Sequence, residues 1–289
     1  MKTALSAITV ALSLAFGAGT ALAADTADIT QSGATNTGSI EQLNSTAGNQ
    51  MGTINQPGNN NASSIFQNAN VSYANATINE SGSYGVSNIS QVLSGNGAQG
   101  HIIHWGDGNH SAITQYNVGG AISGDPGASA SIGQNGNNNT AAVYQHDGNN
   151  LSAQVNAVNP WGDHGSNNWA YIEQTGNTQN AIIEQKGANN GIAQILQSGA
   201  DNDSHIIDTG EHNTAYVTQV GWGSGTNTAN VTQAGSYNLA MVNQNGSALE
   251  SSVTQSSSSN QAYVTQSTSD YSSTVLQNGP SNLAVVWQH

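Results

Sequence analysis

Toward the C-terminus a glutamine recurs every 11 residues, at Gln233, Gln244, Gln255, Gln266, Gln277 and Gln288. Between these anchors the same residue types return at the same offsets. Gln233 is followed by Gly235, Asn238, Ala240, Val242 and Gln244, and Gln277 by Gly279, Asn282, Ala284, Val286 and Gln288. The template also fits Gln134 to Gln145 through Gly136, Asn139, Ala141 and Val143, and Gln174 to Gln185 through Gly176, Gln179, Ala181 and Ile183. Counted back from each anchor, Asn, Ala, Val or Ile, and Gln stand at even separations, so in a strand they share one face. The odd positions carry Thr, Tyr, Ser, Asn and Ala, as a solvent-facing side does. Short strands with small inward side chains are therefore predicted, one per interval.

The N-terminal half keeps the step and adds residues between alternate steps. Gln31 to Gln42, Gln56 to Gln67, Glu80 to Gln91 and His104 to Gln115 are each 11 apart, joined by intervals of 14, 13 and 13. Longer insertions are expected near 116–130 and 157–168. The alternation implies a unit of strand, tight turn, strand and longer turn, about 22 to 25 residues long, repeated about eleven times. Gly and Asn between the strands, with Gly136, Gly176, Gly187, Gly199, Gly210, Gly235, Gly246 and Gly279 as the turn glycines, are expected to supply the positive φ of a sharp reversal. The predicted fold is all-β: a flat β-solenoid of about eleven two-stranded coils spaced about 4.8 Å apart, a column on the order of 50 Å long, cross-β on assembly. Its amides would stack in ladders, formed by the anchors above with Gln197 and Gln219, and by Asn139, Asn213, Asn238, Asn260 and Asn282. Stacking satisfies polar groups that are costly when buried singly.

Composition agrees with a chain stabilised by backbone pairing rather than by a bulky core. Charged residues make up 6% of the 289 residues, and aromatic residues another 6%, against about 25% charged in ordinary domains. Residues 1–23 read as a secretory signal: Lys2, a mainly apolar run from Ala4 to Phe16, then Ala21-Leu22-Ala23 as a cleavage site. The mature chain, 24–289, then holds one basic residue, Lys186, against 16 acidic ones. Such a balance excludes nucleic-acid binding and disfavours anionic membranes. No further span long enough to insert in a bilayer follows, and no Cys is present to form disulfides.

Candidate chemistry is sparse. His101, His104 and His110 lie close in sequence but not at a zinc spacing, and His104 occupies an anchor position. The Asp-Gly and Asp-Pro segments around Asp107, Asp125, Asp147 and Asp163 match no calcium-loop pattern and are read as turns and as gatekeepers against premature aggregation. Glu80 and Asp208 stand where Gln is expected and are read as weak points of the ladder. No nucleophile elbow, phosphate loop or metal triad appears, so neither catalytic residues nor a metal or other cofactor is assigned. Thr114, Thr218, Thr232, Thr254 and Thr265 precede anchors on the outward side. They keep open a monomeric secreted solenoid that binds ice, glycan or a surface. A polysaccharide-active β-helix enzyme would need a charged cluster on one face, and none is evident.

The last repeat keeps the template up to Gln288, so both column ends are expected to present unpaired strands. Such ends invite head-to-tail addition of further copies, making a homopolymeric fibre. The period Gln-x-Gly-x-x-Asn-x-Ala-x-x-x-Gln resembles the curlin repeat of bacterial curli subunits. Gln233-Ala-Gly235-Ser-Tyr-Asn238-Leu-Ala240-Met-Val-Asn-Gln244 and Gln277-Asn-Gly279-Pro-Ser-Asn282-Leu-Ala284-Val-Val-Trp-Gln288 match it at every specified position. The resemblance implies an extracellular functional amyloid serving as biofilm scaffold and surface adhesin. It further implies export through an outer-membrane pore, periplasmic chaperones and a nucleator partner subunit. The chain departs from the family in having about twice the usual repeats and no evident Gly-rich export segment. Its scarcity of Lys and Arg is more similar to the major, fibre-building subunit than to the nucleator, which stays the alternative within the class.

Overall fold

The computed structural model describes residues 25–43, 50–68, 74–92, 97–118, 127–157 and 165–289. Residues 1–23, expected to be a secretory signal, and the inner parts of the two expected insertions, 119–126 and 158–164, lie outside the described residues. In chain order the first strands are β1 (Thr26–Gln31), β2 (Thr37–Leu43), β3 (Met51–Gln56), β4 (Ala62–Asn68), β5 (Asn75–Glu80), β6 (Val86–Val92), β7 (Gln99–His104), β8 (His110–Val118), β9 (Ser129–Gln134) and β10 (Thr140–Gly148). They continue with β11 (Leu151–Ala157), β12 (Trp169–Gln185), β13 (Ile192–Asp208), β14 (Thr214–Gly221), β15 (Asn227–Gln233), β16 (Leu239–Ser247), β17 (Glu250–Gln255), β18 (Gln261–Ser269), β19 (Ser272–Gln277) and β20 (Leu283–Gln288).

Outside the stretch from β11 to β14, strands adjacent in sequence do not pair with each other. From β1 to β10 each strand pairs with the one two places on, always in parallel, and the same rule returns from β14 to β20. Between them, β12 and β13 each run through both layers of the column. The N-terminal half of β12 pairs with β10 and its C-terminal half with β11. Twenty strands, two of them counted twice, give 22 strand segments, two per coil, and hence eleven coils among the described residues. Among the described residues the fold is a parallel β-solenoid without a helix. Its first layer holds the segments ending at Gln31, Gln56, Glu80, His104, Gln134, Ala157, Gln185, Asp208, Gln233, Gln255 and Gln277. The second layer holds those ending at Gln42 and its ten equivalents down to Gln288.

Register is kept through the whole column. Gln31 lies beside Gln56, Gln115 beside Gln145, and Gln266 beside Gln288. A slip of one residue would turn every inward side chain outward, which fixes the pairing wherever one face is buried. The core between the layers is thin. One β-branched column per layer, including Ile54, Ile65, Ile78, Ile89, Ile172, Ile195, Val217, Val242 and Val264, is buried beside a column of small residues such as Ala76, Ala181 and Ala240. Some large and small choices compensate across the layers. A β-carbon on Gly52 would meet Ile40, and one on Gly100 would meet Ile89, so Ile side chains fill the space that those glycines leave.

The turn from first to second layer differs in one respect from the expectation. Positive φ falls on the residue just before the corner Asn, as at Asn60 (56°), Asn138 (56°), Tyr237 (58°) and Ser281 (58°). Among the turn glycines of this corner, Gly136 and Gly187 also have positive φ, whereas Gly210, Gly235 and Gly279 do not. Those turns favour glycine for a different reason. A β-carbon on Gly58 would strike the carbonyl of Gly82, and one on Gly210 the carbonyl of Gly235. The demand comes from the coil stacked next along the column, not from the local reversal. Ala188 and Ser257 occupy equivalent places, so the preference for glycine is not absolute.

Candidate functional site

The inward anchors build two ladders of unequal quality. In the second layer the ladder is unbroken. Gln42 donates from Nε2 to Oε1 of Gln67 at 2.9 Å, Gln67 to Gln91 at 2.8 Å, and Gln91 to Gln115 at 2.8 Å. The chain continues through Gln145, Gln174, Gln197, Gln219, Gln244 and Gln266 to Gln288 with every step between 2.8 and 2.9 Å. The second hydrogen of each amide goes to a strand carbonyl in the layer opposite, as from Gln244 to Thr228 O at 3.0 Å. Both amide hydrogens of each ladder glutamine before Gln288 are thereby engaged within the buried column, where neighbouring amide dipoles reinforce one another.

In the first layer the ladder is interrupted. Gln31 donates to Gln56 at 2.7 Å and Gln56 to Glu80 Oε2 at 3.0 Å. At the other end Gln233 donates to Gln255 at 3.0 Å and Gln255 to Gln277 at 2.8 Å. Between them the register partner of Gln134 is Ala157, which has no amide. Gln134 Nε2 and Gln185 Oε1 accordingly lack partners among the described residues, as does Gln233 Oε1, which follows Asp208.

Glu80 is not the weak point that its place in an amide ladder suggests. Its carboxylate accepts from Ser63 Oγ at 2.7 Å, from Ser87 Oγ, and from Gln56, and it lies 3.4 Å from Nδ1 of the equally buried His104. His104 Nε2 in turn sits 2.7 Å from Ser111 Oγ, which donates to Gln134 at 2.9 Å. Burial pushes the Glu80 carboxyl up, but the hydrogen bonds from His104, Ser87, Gln56 and Ser63 together outweigh it and hold the group below its usual range. The three serines stand where most second-layer strands carry Ala. That substitution is the signal in the sequence that marks the cluster. Gly85 replaces the corner Asn of the same coil, and a β-carbon there would crowd both Glu80 and His104.

Asp208 behaves in the opposite way. It accepts from Asn213 Nδ2 at 2.7 Å and from the Gly210 amide at 3.0 Å, while its Oδ2 has no partner. Burial dominates and raises its carboxyl above the ordinary value. The two acids stand five coils apart, about 24 Å at the spacing of paired strands, so the column does not bring them together.

The corner asparagines form a third ladder. Asn139 Nδ2 donates to Gly165 O at 2.9 Å, and its Oδ1 accepts from the Asn168 amide at 3.0 Å. The amides of Asn238, Asn260 and Asn282 each donate to the Oδ1 of the preceding corner Asn, in the series Asn213, Asn238, Asn260, at 2.9 Å. On the opposite corner Gly176, Gly199 and Gly246 pack against the next coil's backbone.

The remaining candidates are dispersed. His101 points outward from β7, His104 inward, and His110 outward from β8 in the other layer. Among the described residues no three His, Asp or Glu side chains converge as a group able to hold a metal. Asp107 and Asp147 bind neighbouring turns, accepting from the Ser83 amide and from Asn117 Nδ2, each at 2.7 Å. Asp125 and Asp163 lie outside the described residues. The outward threonines divide between layers: Thr114, Thr218 and Thr265 on the second, Thr232 and Thr254 on the first. Asn243 separates Thr218 from Thr265, so no continuous row forms.

The two column ends differ from the middle. Among the described residues β1 and β2 pair on one side only, and so do β19 and β20. Ile29, Ala284 and Val286, which line the core at these ends, are partly exposed, whereas Ala262 and Val264 one coil in are buried. The ends are also chemically complementary. Each ladder glutamine donates toward the C-terminal coil, so Gln42 Oε1 ends one side as an acceptor. Gln288, with one amide hydrogen engaged by Ser272 O at 3.2 Å, ends the other with a donor.

Comparison with known families gives one match: the curlin associated repeat, at residues 128–156, 164–187 and 227–256. No curated protein matches the chain.

Proposed function

We propose, because three segments of the chain match the curlin associated repeat, that it is the structural subunit of an extracellular, curli-like amyloid fibre, growing by end-to-end addition of copies. The observation that carries this reading is the complementarity of the two ends of the column formed by the described residues. The C-terminal coil offers the β19 and β20 edges, the half-covered Ala284 and Val286, and the Gln288 donor. The N-terminal coil offers the β1 and β2 edges, Ile29 and the Gln42 acceptor. One end set on the other would continue both layers, the core and the ladder in register, and such a contact is heterologous and does not close. The scarcity of basic residues favours the fibre-building role over the nucleating one. Removal of residues 1–23, passage through an outer-membrane pore with periplasmic chaperones, a nucleator partner, and service as biofilm scaffold and adhesin belong to the same proposal, and the resemblance to curli subunits supports them.

The test is assembly of the purified chain after dilution from denaturant, followed by thioflavin T fluorescence and fibre diffraction. Seedable growth with reflections near about 4.7 and 10 Å is expected. Val286→Asp places a charge on the end that a second copy would cover. The variant should fold, fail to elongate, and stop wild-type growth when added below stoichiometry. A wild-type chain that stays monomeric, or a variant that elongates normally, overturns the proposal.

A further inference from the structure

The two outer faces of the column are unlike each other. In the second layer, from β10 to β20, the central outward column reads Ala142, Tyr171, Gln194, Tyr216, Met241, Tyr263 and Val285 in successive coils. The columns on either side add Trp169 and Ile192, both more than a third exposed, and Trp287, which is 74% exposed. The matching central column of the first layer reads Ser131, Gln154, Ile182, His205, Asn230, Ser252 and Thr274, which is mostly polar. Charge follows the same division. Over these coils the first layer turns Glu184, Asp203 and Glu250 outward, whereas the strands of the second layer expose Glu173 and, at the C-terminal end of β10, Asp147. Both are partnered: the Glu173 carboxylate accepts from the Tyr171 hydroxyl at 3.0 Å and lies 3.5 Å from His146, and Asp147 lies 3.3 Å from the same imidazole.

We propose that a second copy of this chain covers the outer face of the second layer from Thr140 to Trp287, so that fibres are paired columns packed sheet to sheet. Area supports a stable contact. Seven coils at about 4.8 Å, by strands of about seven residues at about 3.3 Å, give a footprint of about 800 Å² per copy. The pair thus covers about 1,600 Å², the size of an ordinary specific interface. Charge decides the occupant. A chain with 16 acidic residues and two basic ones repels its own copies on most surfaces, and this face is where the repulsion is least. An isologous contact places the same patch on both copies. In a continuous column the patch recurs once per molecule, about every 53 Å for eleven coils at about 4.8 Å.

In its fibre form the inference rests on the end-to-end reading. The deciding measurement is mass per unit length by scanning transmission electron microscopy. Wild-type fibres should carry two molecules per column repeat. The double variant Tyr216→Lys with Tyr263→Lys should carry one, halving the mass per length while the strand spacing stays the same. Asn230→Lys with Ser252→Lys, on the first layer, should keep two. Tyr216→Ser with Tyr263→Ser serves as the milder pair if the lysines prevent folding. A single column for the wild type, or two columns for the face variant, overturns the inference. Should the wild type form no fibre, the end-to-end reading falls alone. Sedimentation equilibrium then decides the pairing: a wild-type dimer and a variant monomer support it, and a wild-type monomer overturns it.

Discussion

Truncating a ladder glutamine should cost far more in one layer than in the other. Gln219 in the second layer donates to Asp203 O and Asn227 O, each at 3.0 Å, and to Gln244 Oε1 at 2.8 Å, and accepts from Gln197 Nε2 at 2.8 Å. Gln219→Ala strands Gln244 Oε1, which has no other donor among the described residues, in a buried place at about 1–3 kcal/mol, and removes further bonds worth about 1 kcal/mol each. Gln134 in the first layer accepts from Ser111 at 2.9 Å, but its Nε2 is already without a partner. Gln134→Ala loses one bond and relieves one stranded donor, which nearly cancel. The methylenes lost are the same in both and drop out of the comparison. The difference is about 4–6 kcal/mol, a thousandfold or more in local opening. Hydrogen exchange read by mass spectrometry on peptides covering β14 and β9 measures it. Exchange accelerated about equally by the two substitutions would refute the ladder argument.

Three further outcomes follow from the interrupted ladder. Glu80 is held below its ordinary value of 4.5, so its stabilising contribution is present above that value and lost as pH falls through the folded-state one. Protection of β5 and β7 should therefore drop on acidification, measured against intrinsic exchange rates, and Glu80→Gln should flatten the drop. Asp208 is raised above 3.8, so its contribution is present at low pH and lost as pH rises through the folded value. Protection of the C-terminal half of β13 should thus increase on acidification, with Asp208→Asn removing the dependence. Ser87→Ala removes a donor to a buried carboxylate and should cost about 1.5–3 kcal/mol, read as faster exchange in β5 and β6; Ser204→Ala, whose hydroxyl meets a neutral amide at 2.8 Å, should cost about half as much.

The repeat unit, the inward and outward faces, the anchor columns and the all-β solenoid were legible in the chain itself. An alternation with period two and a fixed interval between anchors leaves few other folds able to bury Asn, Ala, Val and Gln together. What the 11-residue step could not convey is what lies one coil away. Glu80 and His104 are 24 residues apart and look like two separate defects in the pattern, yet parallel stacking sets them side by side, with Ser63, Ser87 and Ser111 from the facing layer completing the cluster. The preference for glycine at Gly58 and Gly210 likewise arises from the carbonyl of the next coil rather than from the turn's own φ. The inequality of the two ladders was also hidden, because anchors alternate between layers and a list along the chain mixes them. Sequence determined the strand and its two faces, since these depend on residues within a few positions of one another. Tertiary structure decided charge pairing, glycine placement and which outer face is apolar, because each depends on contacts between residues about 22 to 30 positions apart, brought within about 4.8 Å by the stacking of coils.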